Sequence, residues 1–179
     1  MKYLLTGKET ERLKFRLLKD SDFDTWKDMF KKENVARFLG LDETKSPEEL
    51  CTFWFEKASI RRQNNTGGMN VLIDKKTNQL VGQCGILIQE IEGEEYFEIG
   101  YSILPKFWNM GYASEASQKC RNFAFENDFS NHLISMVNTD NIGSQKVALK
   151  NGMKLEKEMI YKGSSVYIFG MSKEDWKRK

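Results

Sequence analysis

Short stretches in which apolar and polar residues alternate predict β-strands along most of the chain, because successive side chains of a strand point to opposite faces. The clearest case is residues 98–104, where Ile99, Tyr101 and Ile103 alternate with polar or small residues. Pro105 ends this strand because proline has no N–H to donate. Together with the turn signals between them, seven strands are predicted, at residues 12–18, 69–74, 80–89, 98–104, 132–137, 154–161 and 165–171.

Apolar residues at helical spacing predict four helices between these strands, at residues 21–30, 47–63, 113–127 and 142–151. The second of them has the best-defined start, since Ser46-Pro47-Glu48-Glu49 combines a cap, a first-turn proline and a glutamate three residues after the cap. Residues 34–44 fit neither period, and we expect a loop there with buried apolar anchors at 38–41. A last helical turn is expected at 173–177. The predicted order is β-α-α-β-β-β-α-β-α-β-β, a mixed α/β chain.

The segment after the fourth predicted strand has the features of an anion site. Gly111 stands in a short loop, and the helical pattern begins at Ala113. A helix start offers free N–H groups and the positive end of the helix dipole, which typically bind a phosphate. A glycine loop before a helix is a weak signal alone, and the two common phosphate motifs, Gly-x-x-x-x-Gly-Lys-Ser/Thr and Gly-x-Gly-x-x-Gly, do not occur.

Composition narrows the function classes. A length of 179 residues with 30% charged residues favours one globular domain over residues 1–179. The net charge of +2 is too small to indicate nucleic acid, and no apolar run is long enough for a membrane span or a signal peptide. Three scattered cysteines indicate reduced thiols in a cytoplasm. With His132 as the only histidine, multi-histidine metal sites are excluded, and so are histidine-based triads that do not use it.

The order of elements and four motifs resemble the GNAT (Gcn5-related N-acetyltransferase) superfamily, in particular its RimJ/RimL-like branch. The resemblance extends from Arg12 to Trp176, and its motifs are residues 98–101, 107–116, 141–153 and 166–176. It implies a mostly antiparallel seven-stranded sheet, split between strands 4 and 5 and flanked by about four helices. It also implies acetyl-CoA as co-substrate, an amine acceptor that is a small molecule or a protein N-terminus, no metal, and frequent homodimers.

The resemblance further implies a cofactor site. The main chains of Ile103 and Leu104 would bind the pantetheine arm, and the side chain of Asn141 would bind it from the other side, with Asn138 and Ser144 nearby. The helix start would take the pyrophosphate through its N–H groups, on Asn109, Met110, Gly111, Tyr112, Ala113 and Ser114. Asn141 could instead serve only as a helix cap, and both roles are compatible. Met110 replaces a residue that is often basic in the family, so one charge contact to phosphate is expected to be missing.

Two groups are candidates for the chemistry. Attack by an amine on a thioester needs a proton acceptor and a donor for the oxyanion. Glu98 is the candidate base, although a solvated carboxylate at the start of a strand is an equal alternative. The N–H of Ile103 is the candidate oxyanion donor. Many family members carry a tyrosine acid where this chain has Ala148; Tyr161, Tyr167 and Ser144 are left as weak alternatives.

Two other functional hypotheses compete with that of an acetyltransferase. One is a catalytically inactive acyl-CoA-binding module on the same fold, supported by the missing tyrosine. The other is a protein-binding scaffold, which fits poorly with the glycine loop. Aromatic residues of the first two helices and the following loop could line an acceptor pocket, although packing against the sheet is the stronger expectation; they are Trp26, Phe30, Phe38, Trp54 and Phe55.

Overall fold

A computed structural model describes residues 2–178. Seven strands form one sheet in the order β1-β2-β3-β4-β5-β7-β6. The strands are β1 Leu13–Arg16, β2 Gly67–Asp74, β3 Leu80–Ile91, β4 Glu94–Ile103, β5 His132–Asn138, β6 Lys154–Tyr161 and β7 Ser164–Ser172. The α-helices are α1 Phe23–Lys27, α2 Val35–Phe38, α3 Pro47–Gln63, α4 Tyr112–Glu126, α5 Ile142–Lys150 and α6 Lys173–Lys177. The mixed α/β architecture with a mostly antiparallel sheet is as predicted.

The sheet opens between β4 and β5, which are its parallel pair. Phe97 pairs with Leu133 and Glu98 with Ile134, and the ladder between the two strands consists of these pairs. Both strands continue beyond it, β4 to Ile103 and β5 to Asn138. The predicted split between strands 4 and 5 is therefore confirmed, and its apex lies at Glu98.

Each face of the sheet has its own core. On one face α4 packs through Ala116, Cys120 and Ala124, all with 0% exposure. On the other face α1 and α3 cover β2, with Trp26 at 0% exposure in the centre of the cluster. The residues of α4 recur at helical spacing, so burial of a single stripe accounts for that helix.

The start of α3 confirms its sequence signal. The Ser46 hydroxyl accepts from the Glu49 N–H, and the Glu49 carboxylate accepts from the Ser46 N–H. Leu50 and Cys51 of this helix are buried, whereas Phe53 is 49% exposed. Side chains along α3 therefore do not all pack against the sheet.

Two local predictions were wrong. Strand β4 begins at Glu94, so Glu98 lies within the strand and not at its start. The reason is a tight two-residue turn at Glu92 and Gly93, both with positive φ (53° and 83°), which lets β3 and β4 pair from their ends. Within 34–44, where a loop was expected, the chain forms the one-turn helix α2.

Candidate active site

A cavity of about 790 Å³ occupies the split of the sheet. Its walls come from β4 and β5, from α3 on one side, and from the first turns of α4 and α5 on the other. Glu98, Ile103 and Gly111 all line it. The apex of the split and the glycine loop thus open into one continuous space.

Glu98 lies at the apex and is 8% exposed, so the alternative of a solvated strand-end carboxylate is wrong. Its carboxylate accepts a 2.6 Å hydrogen bond from Gln89 Nε2, and the N–H of Met136 on β5 lies nearby. The Gln89 hydrogen bond, the Met136 N–H and the nearby charge of Arg61 favour the anion, but burial outweighs them and raises the pKa of Glu98 above its usual range. A carboxyl group with a raised pKa inside a cavity is suited to accept a proton.

A relay of hydrogen bonds fixes the orientation of Glu98. Arg61, near the end of α3, donates to the carbonyl oxygens of Thr66 (3.0 Å) and Ile88 (3.1 Å) and to Gln89 Oε1 (2.8 Å). Gln89 in turn donates to Glu98. Arg61 therefore acts on the carboxylate through Gln89, and neither residue was identified from the sequence.

Beyond Glu98, the main-chain N–H and C=O groups of β4 point alternately toward β3 and toward the split. The N–H of Leu104 donates to Val81 O at 2.9 Å, so it faces β3. Since main-chain groups of successive strand residues point to opposite edges, the N–H of Ile103 faces the split. The carbonyl of Ile103 accepts from Trp108 Nε1 at 2.7 Å. Ile103 thus offers a donor to the cavity, while the N–H of Leu104, whose main chain was also expected to bind the arm, is used within the sheet.

The start of α4 is open toward the cavity. Gly111 is the N-cap residue with φ 82° and has no side chain to accept from the first N–H groups. Asn109, Gly111, Tyr112, Ala113 and Ser114 line the cavity, whereas Met110 does not and is 50% exposed. An uncapped helix start in a cavity fits an anionic phosphate group.

Arg12 holds this loop from behind. Its Nε lies 2.6 Å from Glu115 Oε2, its Nη1 donates to Met110 O at 2.9 Å, and its guanidinium lies 4.4 Å from the Tyr112 ring centre. The Glu115 carboxylate also accepts from Thr10 Oγ1 at 2.5 Å. Glu115 is thereby paired at a helix start where a phosphate would otherwise meet a free negative charge. No local pattern marks this contact, because its partners are 103 residues apart.

The first turn of α5 forms the opposite wall. Asn141 Oδ1 accepts from the Ser144 N–H at 3.0 Å, so Asn141 does cap this helix, and its amide nitrogen remains able to donate. Asn138, Asn141 and Ser144 line the cavity. Tyr101 also lines it and donates its hydroxyl to Ser144 O at 2.8 Å, a bridge between β4 and α5 that was not predicted.

The remaining candidates separate by position. Tyr161 lines the cavity, but Tyr167 packs at right angles to Phe169 on the α4 face of the sheet. Ala148 is fully buried. His132 lies away from the cavity, 2.8 Å from Glu156. Trp54 and Phe38 are in the cavity wall, whereas Trp26 is core.

Over residues 2–178, no group of three or more His, Cys, Asp and Glu side chains is arranged to hold a metal ion. Within the same residues, no helix has the length and apolarity needed to cross a membrane.

Comparison with known proteins gives consistent matches. The family model described as "Acetyltransferase (GNAT) domain" matches residues 12–154. YkkB of Bacillus subtilis, described as uncharacterized, is 30% identical over 83% of this chain and 85% of its own length. YoaA of Bacillus subtilis, described as an uncharacterized N-acetyltransferase, is 28% identical over 89% of this chain and 90% of its own.

Solved structures share the fold at lower identity. RimL, a ribosomal L7/L12 α-N-protein acetyltransferase in complex with coenzyme A, has a TM-score of 0.71 at 20% identity, covering 93% of this chain and 97% of its own. Spermidine N-acetyltransferase of Vibrio cholerae, in complex with CoA and spermine, has a TM-score of 0.71 at 16% identity, covering 93% and 99%.

Proposed function

The chain belongs to the GNAT acetyltransferase family, and from this premise we propose that it transfers an acetyl group from acetyl-CoA to a primary amine, directly and within a ternary complex. The observation that carries the proposal is the buried carboxylate of Glu98, at the apex of a cavity whose far side is an uncapped helix start. Because all seven strands share one sheet, residues 1–179 are treated as one catalytic domain.

Acetyl-CoA supplies the acetyl thioester. Residues of the split and of the α4 start would hold it: the N–H groups of residues 109–114 on the pyrophosphate, with Asn138, Asn141 and Ser144 facing the arm from α5. Met110 and Leu104 would contribute least, since neither residue lines the cavity and the Leu104 N–H is bonded to Val81 O. The Arg12 guanidinium holds this loop through Met110 O and neutralises Glu115, so that no free carboxylate faces the phosphate.

Glu98 would accept the proton of the incoming amine. An ammonium ion is not nucleophilic, so the acceptor must lose a proton before attack, and a carboxylate with a raised pKa takes that proton more readily. The N–H of Ile103 would donate to the oxygen on which negative charge develops. Ser144 and Tyr161 remain possible acids, although a thiolate can leave without one.

The inactive binding module is kept as a second candidate because of one observation. Ala148 is fully buried and offers no hydroxyl in place of the tyrosine that many relatives carry. This candidate predicts acetyl-CoA binding without transfer to any amine.

Thermal unfolding with acetyl-CoA tests the cofactor site. A ligand at 100 times its dissociation constant stabilises the folded state by about 2.7 kcal/mol. A Cβ at Gly111 would lie 3.3 Å from Arg12 Nη2, so Gly111→Asp adds a carboxylate at the N-cap that competes for the free N–H groups and the positive charge of the helix start, and it should abolish this stabilisation. Gly93→Asp is the matched control, because Gly93 has nearly the same φ (83° against 82°) in a distant turn.

The outcomes separate the candidates. Stabilisation of the wild type and of Gly93→Asp but not of Gly111→Asp, with transfer in an amine panel, supports the enzyme. Stabilisation without transfer to any amine supports the inactive module. A folded wild-type protein that acetyl-CoA does not stabilise would refute both.

A further inference from the structure

The charges that line the cavity are unbalanced. Seven cationic side chains line it against two carboxylates; the cations are Arg37, Lys57, Arg61, Arg62, Lys146, Lys150 and Lys162, and the carboxylates are Glu98 and Asp140. Asp140 is 3.1 Å from Arg37 and is neutralised there. Glu98 is therefore left as the counter-charge for the cations around the apex.

The excess is concentrated on the α3 side. Arg61 bonds to two carbonyl oxygens and an amide oxygen, which are neutral. Among the described residues, no carboxylate lies within ion-pair distance of Lys57 or Lys162, whose ammonium groups contact the rings of Phe53 and Tyr161. Lys57 is solvent-exposed at the cavity mouth. The surrounding protein and the charges of Arg61 and Lys162 nevertheless lower the pKa of Lys57, and only the charge of Glu98 opposes this lowering.

These cations are separate from the proposed phosphate site. Arg61 binds beside Gln89, whereas the glycine loop follows Ile103. Glu98 and Ile103 are five residues apart on β4, which at about 3.4 Å per residue is a distance of ~17 Å. The cations on α3 thus lie at the opposite end of the cavity from the start of α4.

A buried side-chain donor lies nearer the other end of the cavity, since Gln83 of β3 pairs with Ser102 of β4, next to Ile103. Gln83 is 1% exposed and lines the cavity, and its Oε1 accepts from Trp54 Nε1 at 3.2 Å. Its Nε2 has no hydrogen-bond partner among the described residues. A buried amide N–H without a partner is costly and would be satisfied by an acceptor atom of a ligand.

We propose that the acceptor amine carries an anionic group, a carboxylate or a phosphate, which Lys57, Arg61 and Lys162 bind while Glu98 faces the amine. This inference rests on the proposed function, since it defines the acceptor of the same site. The amine itself would bring one positive charge to Glu98, and the anionic group would compensate the cations on α3 and the β6–β7 turn. A polyamine brings several positive charges and no anion, so it fits this end of the cavity poorly.

Matched acceptors that differ in one anionic group test the proposal. The pairs are tyrosine and tyramine, ornithine and putrescine, O-phosphoethanolamine and ethanolamine, and peptides beginning Ser-Asp and Ser-Lys. The first two pairs report on a carboxylate of a small molecule, the third on a phosphate, and the fourth on an acidic peptide. In at least one pair, the wild type should have the higher kcat/KM for the anionic member.

Charge-reversal variants separate recognition from intrinsic amine reactivity. Lys57→Glu and Lys162→Glu should each lower the ratio of kcat/KM for the anionic acceptor to kcat/KM for its matched partner. The expected reduction is about tenfold, the size of one charge pair in a partly desolvated site. Lys76→Glu is the control, because it changes the net charge by the same amount as the other two variants. Lys76 is exposed in the β2–β3 turn and lies away from the cavity. Equal ratios in all three variants, or a wild-type preference for the uncharged or cationic member of every pair, would overturn the proposal.

A binding measurement keeps the inference independent of turnover. Calorimetry with the acetylated products N-acetyltyrosine and N-acetyltyramine needs no catalysis. Tighter binding of N-acetyltyrosine, lost in Lys57→Glu, supports the anionic pocket even if no amine is acetylated and the enzyme proposal fails. Equal binding of the two products, in a protein that acetylates amines without regard to charge, refutes the inference while the proposed function stands.

Discussion

Replacing Glu98 by glutamine removes the charge of the proposed base while keeping its shape. Its carboxylate is buried and accepts a hydrogen bond from Gln89. General-base assistance contributes roughly 10²- to 10⁴-fold to rate, so kcat/KM of Glu98→Gln should fall by that factor near pH 6. The reduction in kcat/KM should become smaller as the pH approaches the pKa of the acceptor amine, because the amine then binds already deprotonated.

The raised pKa of Glu98 also predicts how stability depends on pH. The folded protein holds this proton to higher pH than the unfolded chain, whose pKa is near the ordinary 4.5. In the window above 4.5 and up to the raised pKa, folding therefore becomes less favourable as pH rises, by at most about 1.4 kcal/mol per pH unit for this one group. Glu98→Gln lacks this group, so its stability should decline less across the window.

Both effects can be measured on one set of proteins. The assays are kcat/KM against pH with saturating acetyl-CoA, and urea unfolding at the same pH values. Glu95→Gln is the control, since Glu95 lies on the same strand but is exposed and outside the cavity. If Glu98→Gln and Glu95→Gln have the same kcat/KM at every pH, Glu98 is not the base.

Two further predictions concern the loop at Gly111 and the start of α3. Arg12→Leu should raise the KM for acetyl-CoA by about tenfold or more, because hydrogen bonds to charged groups contribute about 1.5–3 kcal/mol. The kcat at saturating acetyl-CoA should stay nearly unchanged, and Lys14→Leu is the control. If the acetyl-CoA kinetics of Arg12→Leu are also unchanged, Arg12 has no role in the loop. Ser46→Ala should lower the free energy of unfolding by about 1 kcal/mol through loss of the cap, measured by urea denaturation, and activity per folded molecule should not change.

The parts of the fold that local chemistry determines could be predicted from the sequence. The start of α3 follows from Ser46 and Glu49, which bond to each other across one turn. The order of strands and the split follow from the resemblance of whole motifs. Residues 34–44 could not be assigned, because the buried residues of α2 are held by contacts with distant parts of the chain.

The site could be predicted in part for the same reason. Most residues expected at the cofactor site line the cavity, although their roles stay predictions. Glu98 was expected at a strand end, because Glu92, Gly93 and Glu94 were interpreted as a turn and the apolar alternation becomes clear only from Glu98. Arg12 and Arg61 were missed because each acts on a residue far away in sequence, Glu115 and Gln89, and no local pattern marks such pairs.

The hydrogen bond from Gln89 to Glu98 has a consequence for comparing relatives of this protein. Arg61 and Gln89 hold an amide N–H toward the buried apex, so a sequence that loses transferase activity still needs an acceptor there for that N–H. Selection for folding alone would then preserve this glutamate. Its retention in a lineage is thus weak evidence of catalysis, and a degenerate homologue is better recognised by changes around Lys57, whose side chain is exposed and lies outside the core.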